Sequence, residues 1–305
     1  MPRLDGASRA TLGAAITKGA STQSYLTIRW LADRAYRKDA FALYGYFRWL
    51  DDEVDERLAT PAQRLAFVER QRSLVAGSAR ALADEEHLLV ALLRTRDGSP
   101  RPDAAGAHAS VRAMLDVIEF DARRRDRAVG EAELARYTHG LAVAVTEALH
   151  HCIGHGRRAP QDETRYVAVT GAHIAHMLRD HVADVAAGYV NVPAGVLGAG
   201  VAPDDVDAPQ LRRWVKDRVA LARECFATGR GYLARLESER CALAGHAYIA
   251  RFEWVLDAVE RDGYRLRTSY GERSSARGGL AIAASGTRSA LASRHERVHA
   301  SRGAA

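Results

Sequence analysis

The chain is predicted to be all-α. Apolar residues recur at three- and four-residue spacing almost throughout, and alternating apolar and polar runs rich in β-branched residues are nearly absent. Turn chemistry separates the periodic stretches: DGSPRPD at 97–103, GHGRRAP at 154–160 and GYVNVPAGVLGAGVAPDD at 188–205. Between these breaks the periodicity predicts helices over 22–35, 38–57, 61–82, 84–95, 105–124, 131–153, 162–188, 208–237, 240–262 and 275–292. No internal repeat and no interdomain linker is evident. The economical architecture is one large helical bundle of about eight to ten helices around a central cavity, where facing helices point polar groups inward. A flexible lead-in over 1–20, a domain over 21–292 and a flexible Ala- and Arg-rich tail over 293–305 complete the expected organisation.

Composition narrows the function classes. Of 305 residues, 47% are hydrophobic and 27% charged, the balance of a globular protein with a sizeable core. A net charge of +6 would suit nucleic acid, an anionic membrane or phosphorylated substrates. Much of the arginine, however, stands beside Asp and Glu on helix faces, the pattern of solvated surfaces, which argues against nucleic acid. Cys152, Cys225 and Cys241 are too few and too scattered for a disulfide framework or a zinc knuckle, so a reducing cytoplasm is expected. No apolar run reaches the roughly 18 residues of a membrane span, and membrane contact is expected to be peripheral at most.

Two acidic motifs carry the chemistry. In ALYGYFRWLDDEVDE, residues 42–56, a helix stacks Asp51 and Asp55 one turn apart, with Asp52 and Glu56 in a parallel row. Carboxylates at that spacing repel by a few tenths of a kcal/mol (roughly 0.2–0.5 per pair), and a cation between them reverses the sign. Upstream, Tyr44, Phe47 and Leu50 form an apolar stripe, so the acids begin at the rim of a buried surface. The second motif, HMLRDHVADVAAGYVNVP at 176–193, repeats the pattern with Asp180 and Asp184 after an apolar face containing Ile174 and Met177. A solvated acidic turn would explain either motif alone. Two such ledges, each closing an apolar helix run, suit Mg²⁺, which takes one or two carboxylates and completes its octahedron with phosphate oxygens; zinc would demand His or Cys.

These residues resemble the squalene/phytoene synthase family. The chain offers Ser24-Tyr25, Arg37, Ala42-Leu43-Tyr44, Arg48 and Asp51-Asp52-Asp55, then Leu178-Arg179-Asp180, Asp184 and Pro193, at the family's spacing over roughly 21–270. Leu134-Ala135-Arg136-Tyr137 resembles the helix between the acidic motifs, and Ala247-Tyr248 through Asp262-Gly263-Tyr264 the helix that closes the bundle. The resemblance implies an isoprenoid synthase-like fold and Mg²⁺-dependent ionisation of an allylic isoprenyl diphosphate such as farnesyl or geranylgeranyl diphosphate. It also implies that Asp51, Asp52, Asp55, Asp180 and Asp184 hold metal and that Arg48 and Arg179 grip diphosphate oxygens. Tyr44, Tyr137 and Tyr248 would line the cavity, with a protein-packing role equally open to each; Ser24, Tyr25 and Arg37 would meet substrate. A monomer or homodimer is expected.

Four departures from the family pattern bear on the reaction. His173 and His176 stand where the second motif carries Gln and Asn, and Val143 and Thr146 replace two glycines that leave room for a substrate chain. Tyr189-Val190-Asn191 replaces Arg-x-Tyr, and the late Arg-Arg pair reads Ser269-Tyr270. Two reactions therefore stay open. One is head-to-head (1′–1) condensation of two isoprenyl diphosphates to a squalene- or phytoene-type product. The other is a repurposed site that cyclises one diphosphate or passes its prenyl group to another acceptor. His150, His151, Cys152 and His155 fit no closed zinc set and read as a polar helix end. His173, His176 and Asp180 share a helical face, consistent with a shell beside the metal or with a structural role. Gly195, Gly198 and Gly200 lack the strand and helix-start context of a nucleotide loop.

Overall fold

The computed structural model describes residues 6–270 other than Ala199. The described residues form eleven α-helices and no strand; Arg94 and Pro100 make an isolated bridge. The chain divides into two compact units, one of residues 1–123 and 143–156, the other of 124–142 and 157–305. The expected helix over 275–292 and the tail lie outside the described residues.

The first unit begins with α1 (Gly6–Ala20), α2 (Thr22–Leu31) and α3 (Arg37–Asp52). Residues 6–20 thus form a helix where a loose lead-in is expected. Its signal is weak because small residues do the packing: a Cβ on Gly13 would lie 2.7 Å from the Phe41 carbonyl oxygen, and one on Gly45 3.1 Å from the Gly13 Cα. The two glycines let the α1 and α3 backbones approach, and Thr17, fully buried there, donates its hydroxyl proton to the Gly13 carbonyl at 2.7 Å.

Next come α4 (Pro61–Ala76), α5 (Asp84–Leu93) and α6 (Ala105–Arg124). Thr60 and Gln63 cap α4 reciprocally, with Pro61 in its first turn. Gly77, at φ 86°, stops the helix five residues before the periodicity suggests. A buried polar chain ties α3, α4 and α5. Tyr46 donates to Gln71 at 3.1 Å, Gln71 donates to Glu86 at 2.8 Å, and Glu86 also accepts from Arg70 and the Leu82 and Ala83 amides. Burial opposes ionisation of Glu86, but these hydrogen bonds outweigh it and hold its carboxyl below the ordinary range.

α7 (Glu131–Cys152) belongs to the first unit from Val143 onward and to the second before it. Its end is the polar terminus expected: His151 is buried with Nε2 3.3 Å from Asp39, and His155 stacks on Tyr36 at 3.9 Å. The second unit continues with a 3₁₀ turn (Glu163–Tyr166), α8 (Val167–Ala186), the single turn α9 (Ala194–Leu197), α10 (Pro209–Ala234) and α11 (Glu239–Arg261). The start of α8 and the end of α10 approach closely, where Gly171 faces Cys225 and Gly229 faces Ala168.

Gly13→Val is expected to destabilise the fold by about 1–3 kcal/mol, because the Phe41 carbonyl it meets is backbone and cannot turn aside. Urea denaturation checks this. The midpoint should fall in that variant and hold in Gly19→Ala, whose new Cβ meets nothing within 4 Å.

Candidate active site

In the first unit, helical spacing puts Tyr44, Arg48 and Asp51 on one face of α3. The helix does not run on in α form as expected. Glu53–Arg57 makes a π turn, closed by the Leu58 amide donating to the Glu53 carbonyl at 3.0 Å. Asp55 within this turn stays close enough to Asp51 for its charge to act on that carboxyl. Val54 of the same turn is buried in a cluster with Val68, Ile118 and Ala122.

That cluster brings α6 alongside and adds a carboxylate the motif does not contain, Asp121. Asp121 continues the Met114 and Ile118 face of α6, so its signal was present: an acid closing an apolar helical stripe. Burial first, then the Asp55, Asp121 and Asp52 charges, push the Asp51 carboxyl up to about 7 against the pull of Arg48. The Asp51 side chain still shows 45% of its surface, so solvent and ions reach it. Arg48 donates to Asp51 at 3.1 Å and also pairs with Asp52. Among the described residues no three His, Cys, Asp or Glu groups enclose an ion by themselves. The donor set nevertheless fits a hard cation that brings its own water or phosphate oxygens: it is all carboxylate, open on one side and short of positive charge.

Elsewhere in this unit, Ser24 and Tyr25 are half-buried on α2, with the Tyr25 ring 5.4 Å from Phe41. Arg37 is half-buried at the start of α3, its Nε enclosed without a hydrogen-bond partner. Val143 is half-buried, whereas Thr146 is buried with an unpartnered hydroxyl.

The second ledge differs electrostatically. Asp180 accepts from Arg179 Nε at 2.6 Å and from His176 Nε2 at 2.8 Å. Burial opposes its charge, but the Arg179 and His176 hydrogen bonds prevail and hold the carboxyl well below the usual range. Asp184 accepts from Asn191 Nδ2 at 2.9 Å. Arg179, expected at diphosphate, thus spends its fork on the neighbouring carboxylate here, and His176 is a partner of that same acid.

Beside this ledge runs a row of rings. Tyr137 meets His173 edge-on at 5.1 Å, His173 lies 6.5 Å from His176, His176 6.1 Å from Phe252, and Phe252 5.0 Å from Tyr248. The second unit therefore brings together four residues singled out from the sequence. Phe252, one turn from Tyr248 on α11, was missed; its spacing was the available signal. Burial pushes the Tyr248 hydroxyl up to about 12, keeping it un-ionised at neutral pH.

With the geometry established, comparison with known proteins assigns the chain. The squalene/phytoene synthase model matches residues 17–277, and the protein belongs to that family. Its fold is that of the helical isoprenoid synthases. Squalene synthase HpnC from Alicyclobacillus acidocaldarius aligns over 85% of this chain and 96% of its own, at 20% identity and a TM-score of 0.65. A dehydrosqualene synthase crystallised with a ligand covers 90% and 94%, at 16% identity and 0.68. TcSQS in a ligand complex covers 94% and 89%, at 14% and 0.69. No curated protein matches the chain.

His173 generates a pH prediction. It is buried and neither ring nitrogen has a hydrogen-bond partner, and burial, with the His176 and Arg124 charges, pushes its pKa down to about 3. Unfolded, the ring takes a proton near pH 6.5; folded, it does not until near 3, so its contribution is complete above about 6.5 and is lost as pH falls toward 3. From pH 7 to pH 5 the wild type should lose about 2 kcal/mol more stability than His173→Phe, at 1.36 kcal/mol per pKa unit. Denaturant titration at the two pH values measures the difference.

Proposed function

We propose that the protein ionises an allylic isoprenyl diphosphate with the help of Mg²⁺ and joins two such substrates head-to-head, giving a squalene- or phytoene-type hydrocarbon. The observation that carries the reading is the crowding at Asp51. A carboxyl raised by burial and then by three acid neighbours marks a site short of positive charge, in a chain of this family. Asp51, Asp52 and Asp55 would hold metal on one ledge and Asp180 and Asp184 on the other. Bound there, Mg²⁺ would neutralise charge on the departing diphosphate.

The chain's own groups do the rest. Arg48 and Arg179 exchange their carboxylate partners for diphosphate oxygens, which the guanidinium fork fits equally well. Ring faces of Tyr44, Tyr137 and Tyr248 steady the allylic cation by about 0.5–2 kcal/mol each. Apolar walls keep water from quenching it. Farnesyl or geranylgeranyl diphosphate is the substrate class. Val143 and Thr146, bulkier than the glycines they replace, favour a second reading, in which one diphosphate is cyclised or its prenyl group goes to another acceptor.

The test is incubation of the protein and Mg²⁺ with geranyl, farnesyl or geranylgeranyl diphosphate separately, then mass analysis of the extract. A product of doubled carbon count supports condensation. A hydrocarbon or alcohol of unchanged count supports the second reading, and intact diphosphate in every tube rejects both. Asp51→Ala and Asp180→Ala should each abolish turnover with an unchanged circular dichroism spectrum; wild-type rates in either would falsify the metal assignment.

The greasy product also gives the reading a partner, the surface of an anionic bilayer. No described helix is long and apolar enough to cross a membrane. α2 instead exposes Leu26 at 46% and Trp30 at 72%, one turn apart, with exposed Lys18, Arg29, Arg34 and Lys38 around them. The nearby Asp33 carboxylate is committed to the Gly154 and His155 amides. Exposed apolar side chains among cations suit a negatively charged headgroup boundary. Co-sedimentation should show binding to vesicles containing phosphatidylglycerol that weakens with salt and in Leu26→Ser/Trp30→Ser; equal binding by that variant removes α2 from the contact.

A further inference from the structure

Two residues past the end of α8, Gly188, at a φ of 90°, turns the chain back, and the Asp126 amide donates to the Gly188 carbonyl at 2.8 Å. The following segment is thereby laid beside Arg124, the last residue of α6. Arg124 is buried, 4% exposed, and donates from Nη1 to Asn191 Oδ1 at 2.7 Å. Asn191, 2% exposed, donates from Nδ2 to Asp184 Oδ2 at 2.9 Å. The guanidinium carbon also lies 4.6 Å from the Tyr137 ring centre and 5.2 Å from that of Tyr189.

The chemistry fixes the direction of this line. A guanidinium only donates and an ionised carboxylate only accepts, so the amide between them must turn its oxygen to Arg124 and its NH₂ to Asp184. A flipped amide would oppose donor to donor and acceptor to acceptor. Arg124 thus sets the Asn191 orientation, and Asn191 sets the plane of the Asp184 carboxylate. Tyr189 and Asn191 are also the two positions where the chain departs from the family's Arg-x-Tyr, and both touch Arg124. Neither departure leaves a hole: the buried arginine uses one as a ring platform and the other as an acceptor.

We propose that Arg124 and Asn191 are positioning residues that act in series to preset Asp184 for a divalent cation. This rests on the reading of Asp184 as a metal ligand. Groups that orient a ligand in this way typically change metal affinity by about 10–100-fold when removed. Tyr189 contributes its ring face to Arg124, 5.2 Å from the guanidinium carbon.

The test uses the full chain with Mg²⁺ and inorganic pyrophosphate, reading the Mg²⁺ concentration that gives half of the thermal stabilisation, together with the Mg²⁺ dependence of turnover. Asn191→Leu and Arg124→Met should each raise the half-maximal Mg²⁺ concentration about 10-fold. Because the two act in series, the double variant should equal the worse single one. If Arg124→Met does not fold, Asn191→Leu with Arg124→Lys carries the comparison, since a lysine point charge loses the fork. Multiplied effects in the double variant, or wild-type Mg²⁺ dependence in Asn191→Leu while Asp184→Ala shifts it, overturn the relay and leave the metal reading standing. An unchanged Mg²⁺ dependence in Asp184→Ala overturns both.

Discussion

Repulsion among carboxylates at the end of α3 is the constraint on which the rest of the first unit depends. Asp51, Asp55 and Asp121 come together where α6 packs on this turn, with Val54 buried against Val68, Ile118 and Ala122. Apolar burial, worth about 25 cal/mol per Å², thus holds in place a charge arrangement that would not form by itself. The π turn carries both Asp55, whose charge reaches Asp51, and the buried Val54. Such insertions accumulate at functional sites because they re-aim side chains without ending a helix.

The second unit solves the opposite problem. Its carboxylates are provided for: Asp180 by Arg179 and His176, Asp184 by Asn191. One ledge is short of positive charge and the other holds its cationic partners in reserve.

Rigidity comes from features far less conspicuous than the acids. Glycines at 13, 45, 171 and 229 let helix backbones approach until a single methyl would collide. The Tyr46–Gln71–Glu86 chain fixes three helices through groups that are buried and mutually satisfied. Breaking one member would strand the others without partners, which is why such networks specify one packing and resist alternatives.

The periodicity was enough to place the helices from α2 to α11, apart from the single-turn α9 and a few residues at the ends, because a 3.6-residue stripe is a local property of the chain. It was enough for the two acidic motifs as well, since Asp51 and Asp55, and Asp180 and Asp184, lie within one turn of each other. What required the folded chain were the contacts between residues distant in sequence: Asp121 against Asp51, Arg124 through Asn191 to Asp184, and the row of rings from Tyr137 to Tyr248. α1 escaped notice because glycine and alanine pack by backbone proximity, which leaves little mark on a hydrophobic pattern. The sequence alone therefore determined which helices form and which acids they carry. The tertiary structure alone decided which of those acids are crowded and which are satisfied, because a carboxylate's energy depends on the charges and donors that packing brings to it.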